Sequence, residues 1–371
     1  MWPSAVRHRT LSGSSSSCSK HRSSADSKSA LRIERRNLSC HEISDGFAKP
    51  ILSDYPVLVY YPRTYSFLPV LLVQRFREAL SQETFVLTAE LPLSPKLNRH
   101  AIVSMAEKLS LSVTAIQIPD HTNARPHISN LTASALLLQA GIDPIMHMNS
   151  RDRNRISLQS DLLSAQALGI TSILLMRGMD LPSDHRPRAT SIFDVGAIDF
   201  ITTASAIRDG EALSSARDEH VSPFQIGAIA QVFDPAPDWT PEKLKAKTDA
   251  GANFIQLPLC MNLEILTRYM QKLISARLLW KASVMVTIAP FADREAAVKT
   301  KASLPDSLIP QSIINQLEQS ANPRQTGIDI CAEILTAISM IPGISGANIL
   351  VDEDVSAAAE VVTAFQAAQP S

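Results

Sequence analysis

Residues 143–180 read DPIMHMNSRDRNRISLQSDLLSAQALGITSILLMRGMD. Two short apolar runs, Pro144–Met148 and Thr171–Met176, flank a segment of helical period. Its apolar positions are Ile156, Leu158, Leu162, Leu163, Ala167 and Leu168. Strand, helix and strand in that order make the unit of a parallel sheet, because parallel neighbours need a crossover between them. Polar residues crowd after both runs: His147, Asn149 and the basic run Arg151–Arg155 after the first, Arg177, Gly178 and Asp180 after the second. Ligands of parallel α/β proteins bind at the C-terminal strand edge. The stretch is therefore expected to form one wall of a site.

The same alternation extends in both directions. Strand-like runs recur at Thr84–Leu91, Ser112–Ile118, Phe224–Val232, Asn253–Leu259, Ser283–Ala289 and Gly346–Val351. Helical patterns lie before, between and after them: Val73–Leu80, Arg99–Leu109, Asn130–Ala140, Asn154–Leu168, Ile192–Ile207, Pro241–Ala250, Asn262–Ala276, Asp293–Ser303 with Ile309–Gln319, Thr326–Ile341 and Val355–Gln366. Eight strands, each followed by a helix, predict an α/β chain folded as a (β/α)8 TIM-type barrel. A doubly wound sheet shares the alternation but wants a Gly-rich turn after its first strand, where this chain has Leu91-Pro92-Leu93-Ser94-Pro95. Gly141, Gly169 and Gly251 follow helical stretches and suit left-handed caps, and Thr240-Pro241 reads as a cap residue with proline at the first helical position.

The barrel is expected over residues 68–371, and residues 1–67 as a disordered extension. Met1–Cys40 is rich in Ser and basic residues, has only Asp26 and Glu34 as acids, and lacks apolar periodicity. It reads either as a mitochondrial-type transit peptide or as the translation of an over-extended gene start. The expected setting is the cytoplasm, or the mitochondrial matrix if the extension is a working transit peptide.

A net charge of −1 and aromatics at 5% point away from nucleic acid, and no apolar run reaches the ~18 residues of a membrane span. Cys18, Cys40, Cys260 and Cys331 form no CxxC pair, so neither a zinc site nor a disulfide framework is expected. A small-molecule ligand is the expected partner, and a homo-oligomer is compatible with these bounds.

In a barrel, the residues ending each strand face one mouth. Glu90, between Ala89 and Leu91, is either a desolvated general acid or a carboxylate paired with a nearby arginine. His147 is either a ligand contact or a satisfied polar plug. The Arg151-Asp152-Arg153-Asn154-Arg155 run is either a phosphate-binding helix start or a salt-bridged cap with Asp152 or Asn154 as the cap residue. Gly178 lets a ligand approach the backbone between the charges of Arg177 and Asp180. Lys247, on the helix after the fifth strand, is expected at the same rim.

The segments FVLTAELP (Phe85–Pro92), Asp143–Asp180, Ile192-Phe193-Asp194 and KTDAGANFI (Lys247–Ile255) together resemble the methylenetetrahydrofolate reductase family, and the likeness spans about Phe76 to Phe365. The resemblance implies a barrel that holds FAD at the strands' C-terminal ends and receives NAD(P)H and a folate in turn. The implied reaction reduces 5,10-methylenetetrahydrofolate to 5-methyltetrahydrofolate in one-carbon and methionine metabolism. It implies Glu90 as the acid at the folate nitrogen, with Asp180 a second catalytic group. His147, Arg151, Arg177, Gly178, Val195, Gly196 and Lys247 would be flavin contacts, and Gln256 a folate contact. Three positions depart from the family pattern: Met179 follows Gly178 where an aspartate belongs, Pro119 replaces a hydroxyl, and Pro258 takes the folate-binding glutamine's place, with Gln256 two residues earlier. A divergent paralogue that binds flavin or folate, or serves folate-dependent methyl transfer, is the alternative.

Overall fold

The computed structural model describes residues 75–368 apart from 83–84, 122–123, 182–184, 187, 211–223 and 353. The expected extension, residues 1–67, lies outside them. The first described element is α1 (Arg75–Ser81), followed by β1 (Val86–Glu90), α2 (Arg99–Ser110), β2 (Ala115–Ile118), α3 (Asn130–Gln139), β3 (Pro144–Asn149), α4 (Arg155–Leu168) and β4 (Ser172–Met176). The second half runs α5 (Ala197–Arg208), β5 (Gln225–Ile229), α6 (Glu242–Asp249), β6 (Phe254–Leu259), α7 (Leu263–Ser275), a 3-10 turn at Leu278–Trp280, β7 (Ser283–Ile288), α8 (Arg294–Ser303), α9 (Gln311–Gln319), α10 (Pro323–Ser339), β8 (Gly346–Leu350) and α11 (Ser356–Ala367). All neighbouring strands are parallel, and β8 closes on β1. No helix among the described residues is long and apolar enough to cross a membrane.

Two apolar cores follow from the strand alternation. The larger lies between the strands and the helical ring. The smaller fills the lower interior with Val86, Ala115, Ile145, Leu174, Phe254 and Met285. Phe76 of α1 closes it from below, its ring edge-on to Phe254 with centroids 5.2 Å apart. Gly227 is required by this packing, since a Cβ there would overlap the Phe254 ring. The amide of Phe76 donates to Asp143 Oδ2 at 2.9 Å, tying the plug to the start of β3. Burial pushes the Asp143 carboxyl up to about 7.

The glycines expected at helix ends are left-handed, while several other local expectations shift. Gly169 caps α4 at φ 82, and Gly141 and Gly251 also take positive φ. Asn154, not Asp152, caps α4, accepting from Ser157 N. The buried stripe of α4 is Leu158, Leu162 and Ala165, whereas Ile156, Leu163 and Leu168 face solvent. A helix of the outer ring touches the sheet along a narrow line, so apolar residues just beside that line stay wet. The helix after β4 starts at Ala197 rather than Ile192, because Phe193 sits at φ 45 and breaks the pattern. Pro241 is the cap position of α6, one residue later than the sequence suggests, and Thr240 makes no cap bond.

Candidate active site at the barrel mouth

Above the apolar floor lies a belt of polar side chains, one from each of six strands. Gln117 Nε2 donates to Thr88 Oγ1 at 3.0 Å and to Gln256 Oε1 at 3.1 Å. Thr88 Oγ1 donates to Asn348 Oδ1 at 3.0 Å, and Gln256 Nε2 to Thr287 Oγ1 at 2.7 Å. Thr287 Oγ1 passes its own hydrogen to Leu257 O at 2.9 Å. His147 Nε2 lies 2.9 Å from Gln117 Oε1. The amide oxygen can only accept, so this ring nitrogen carries the hydrogen. Burial pulls the His147 imidazole down to about 3, which keeps it neutral. Buried polar groups are costly unless bonded, and this belt meets that condition by joining its members to one another.

By the period of two, the next inward positions up β1 and β2 are Glu90 and Pro119, and on β6 the alternation is interrupted at Pro258. Glu90 is partly exposed there, yet desolvation raises its carboxyl to about 7. Among the described residues it has neither a cation nor a hydrogen-bond donor for a partner, so the arginine-paired alternative has no counterpart. At Pro258 the register between β6 and β7 slips, a bulge between Leu257 and Leu259. Gln256 lies below this point with its amide engaged on both sides.

The β4 end supplies Arg177, half exposed, its guanidinium 3.8 Å above the Phe193 ring and 3.4 Å from Asp180 Oδ1. Stacking uses the face of a guanidinium and leaves donors at its edge. Gly178 holds φ 82, and a Cβ there would stand 3.1 Å from Arg151 Cβ, so backbone and space both call for glycine. Met179 follows, and Asp180 points outward, its side chain 80% exposed. Beside it a cavity of about 510 Å³ opens in the β4–α5 loop, lined in part by Asp180, His185, Arg186 and Arg188. Lys247 Nζ donates to Ile229 O at the end of β5, and burial, with Lys243 nearby, lowers the ammonium's pKa. No carboxylate pairs with Lys247 among the described residues. Val195 is buried in the outer core, and Gly196 caps α5 without a side-chain bond.

Arg151 stands differently from expectation. It is buried, and its Nε and Nη2 clamp both Asp152 oxygens at 2.7 Å. Nη2 also reaches His121 O at 3.2 Å, and Nη1 reaches Met179 O at 3.4 Å. Burial is the largest single influence on the Asp152 carboxylate and works against it, but the Arg151 bonds and charge, with His121 and Arg153, together hold the group below its ordinary value. A guanidinium spent in this way has little left for a diphosphate. Of the four basic residues expected to contact flavin, Arg177 and Lys247 remain as cationic ligand groups, since His147 is neutral and within the belt. Next to Arg151, Arg153 bonds Asp120 and Asp161. Asp120 also accepts from Asn149 N at 2.7 Å and from Asn149 Nδ2 at 2.8 Å. The belt and the two carbonyl bonds of Arg151 were not read from sequence, whereas the salt-bridged alternative for its run is met by the Arg151–Asp152 pair and the Asn154 cap. The available signal was one polar residue at matching depth in six apolar strands.

A model of the methylenetetrahydrofolate reductase family matches residues 75–350. The chain belongs to this family. Among curated proteins, a probable methylenetetrahydrofolate reductase (NADPH) from Caenorhabditis elegans is 29% identical over 194 residues. That alignment covers 51% of this chain and 26% of the worm protein, so the chain spans about a quarter of that relative. Among solved structures, an uncharacterized Clostridium thermocellum protein, described as binding two copies of 5-methyl-5,6,7,8-tetrahydrofolic acid, superposes with a TM-score of 0.55 at 10% identity. It covers 79% of this chain and 98% of its own. At that identity the likeness concerns the barrel fold.

Proposed function

We propose that the mouth binds FAD and 5,10-methylenetetrahydrofolate and that the protein reduces the folate to 5-methyltetrahydrofolate with NAD(P)H, as a cytoplasmic enzyme of one-carbon metabolism. The observation that carries this reading is the Glu90 carboxyl, unpaired among the described residues and raised to about 7 at the barrel mouth. A carboxyl so placed is protonated for much of the time near neutrality and suits a general acid. Lys247, with a carbonyl but no carboxylate partner, and the half-exposed Arg177, whose bonds to Gly178 O and Asp180 Oδ1 are long at 3.4 Å, suit the phosphates of a dinucleotide cofactor. When bound, the flavin stores the hydride between nicotinamide and folate. Glu90 gives its proton to the folate nitrogen that departs as the ring opens, and the neutral belt beneath holds no competing acid.

A second reading is favoured by Pro258 and by the engagement of Gln256 below it. With no amide donor free at this point of β6, a folate-binding protein or methyl-transfer partner that works without flavin fits as well. The Clostridium thermocellum protein described as binding 5-methyltetrahydrofolate supports that alternative.

The visible absorption spectrum of the purified protein separates the two, a flavin spectrum supporting the first. For the first reading, Glu90→Gln keeps shape and removes the acid. Stopped-flow should then show flavin reduction by the pyridine nucleotide nearly intact, and reoxidation by methylenetetrahydrofolate slowed by a factor on the order of 10²–10⁴. Equal loss in both halves would remove Glu90 as the folate acid. A colourless protein that binds folate but takes up no flavin on titration would move the assignment to the second reading.

A further inference from the structure

We infer that Arg151 is a positioning residue that ties the loops after β2, β3 and β4 into one rim and so fixes where Arg177 and Met179 stand. Its side chain lies at the end of β3 but bonds outward on both sides. Nη2 holds the His121 carbonyl of the β2–α3 loop, and Nη1 holds the Met179 carbonyl of the β4–α5 loop. The bidentate clamp by Asp152 fixes the guanidinium plane and balances its charge. The main chain joins in, since Arg151 O accepts from Ile192 N at 2.7 Å and Arg151 N donates to Asn149 Oδ1 at 3.1 Å. One residue thus touches the β2–α3 loop once and the β4–α5 loop at two points 13 residues apart in sequence.

The backbone at these contacts lies in the left-handed region, and it is strained at the two non-glycine residues. His121, the residue whose carbonyl Arg151 holds, has φ 47. Phe193, which follows Ile192, has φ 45, and Gly178, which precedes Met179, has φ 82. Non-glycine residues keep such angles only where the surroundings over-determine them. Four non-glycine residues with positive φ occur among those described. His121, Ala124 and Phe193 belong to the two loops that Arg151 joins, and Arg277 lies elsewhere. Phe193 in turn carries the Arg177 guanidinium on its ring. The chain of support therefore runs from Asp152 through Arg151 and the Ile192–Phe193 turn to Arg177. A lysine could keep the charge but not a planar fork that serves two carbonyls and a carboxylate together.

The test compares the full-length protein with Arg151→Lys by amide hydrogen exchange and mass spectrometry, without ligand. Exchange should rise about tenfold or more in peptides of both the β2–α3 and β4–α5 loops, in step, while the peptides of β7, β8 and α10 hold their rates. A rise in one loop alone, an even rise over the whole barrel, or no change would each overturn the tie. Should Arg151→Lys not yield folded protein, Asp152→Asn loosens the clamp and spares the carbonyl bonds. It should raise both loops by a smaller factor, and unchanged loops in that variant would equally overturn the proposal. A ligand measurement rests on the flavin reading above. There, FAD titrated into Arg151→Lys should bind at least tenfold more weakly, with its dependence on the diphosphate shown by riboflavin as control. If the unmutated protein takes up no flavin, the function proposal fails while the exchange experiment still decides this one.

Discussion

Replacing Glu90 by Gln should stabilise the free protein above pH 7 and leave it unchanged near pH 4. The carboxyl goes from an ordinary 4.5 to about 7 in the fold. Folding thus favours its protonated form. The stability this group contributes is fully present below the unfolded value and is lost as pH rises through the folded one. A difference of about 2.5 pH units, at ~1.4 kcal/mol each, gives about 3.5 kcal/mol as an upper figure. Glu90 is partly exposed at the mouth, and solvent screening reduces this to about 1–3 kcal/mol. For a barrel of this size that is roughly 2–6 °C in melting temperature. Glutamine keeps the shape without the charge, so the melting difference between variant and unmutated protein should open between pH 4.5 and pH 7 and then level off. Asp143, raised by burial as well, is common to both proteins and cancels. Thermal melts at half-unit pH steps decide it. A difference flat in pH, or a variant less stable at pH 8, would show that the carboxylate has a favourable partner, and the argument for a desolvated acid would fall.

Three other perturbations follow from the same geometry. Lys247→Ala should weaken FAD retention in dialysis while riboflavin affinity changes little, and equal weakening of both would deny the lysine a role at the phosphates. Gly178→Ala meets a left-handed φ and the Arg151 side chain at 3.1 Å, so it should destabilise the fold by about 1–2 kcal/mol in chemical denaturation. Gln117→Leu strands Gln256, Thr88 and His147 without their shared partner and should cost on the order of 2–4 kcal/mol, which a midpoint near that of the unmutated protein would contradict.

The barrel was legible because every strand is an apolar run and every crossover has helical period, a pattern set by backbone geometry alone. Element ends were less so. Ile192 and Phe193 look like the first turn of α5 on apolarity, but tertiary bonds donated by Ile192 N to Arg151 O and by Arg155 N to Asp194 Oδ2 hold them as a turn. Glu90 was legible by its place at a strand end. For Arg151 both a phosphate site and a salt-bridged cap stood open, because a basic run after a strand looks the same in either case; the structure shows the salt bridge to Asp152. His147 was read with both outcomes open, and the structure seats it among amides. Phe76 could be assigned to a helix but not to a plug, since the interior it fills exists only once the barrel closes.

The belt beneath the mouth is built from amides, hydroxyls and one neutral imidazole, and it carries no net charge. Its members do not change protonation across the range in which Glu90 does. Seen from the mouth, the belt is electrically silent, a fixed set of dipoles none of whose members titrates near neutrality. Beyond the desolvation built into the fold, what changes the proton on Glu90 comes not from the belt but from above, from solvent or from the molecule that displaces it. The occupant of the mouth thus sets the acidity of the one carboxyl placed to act on it.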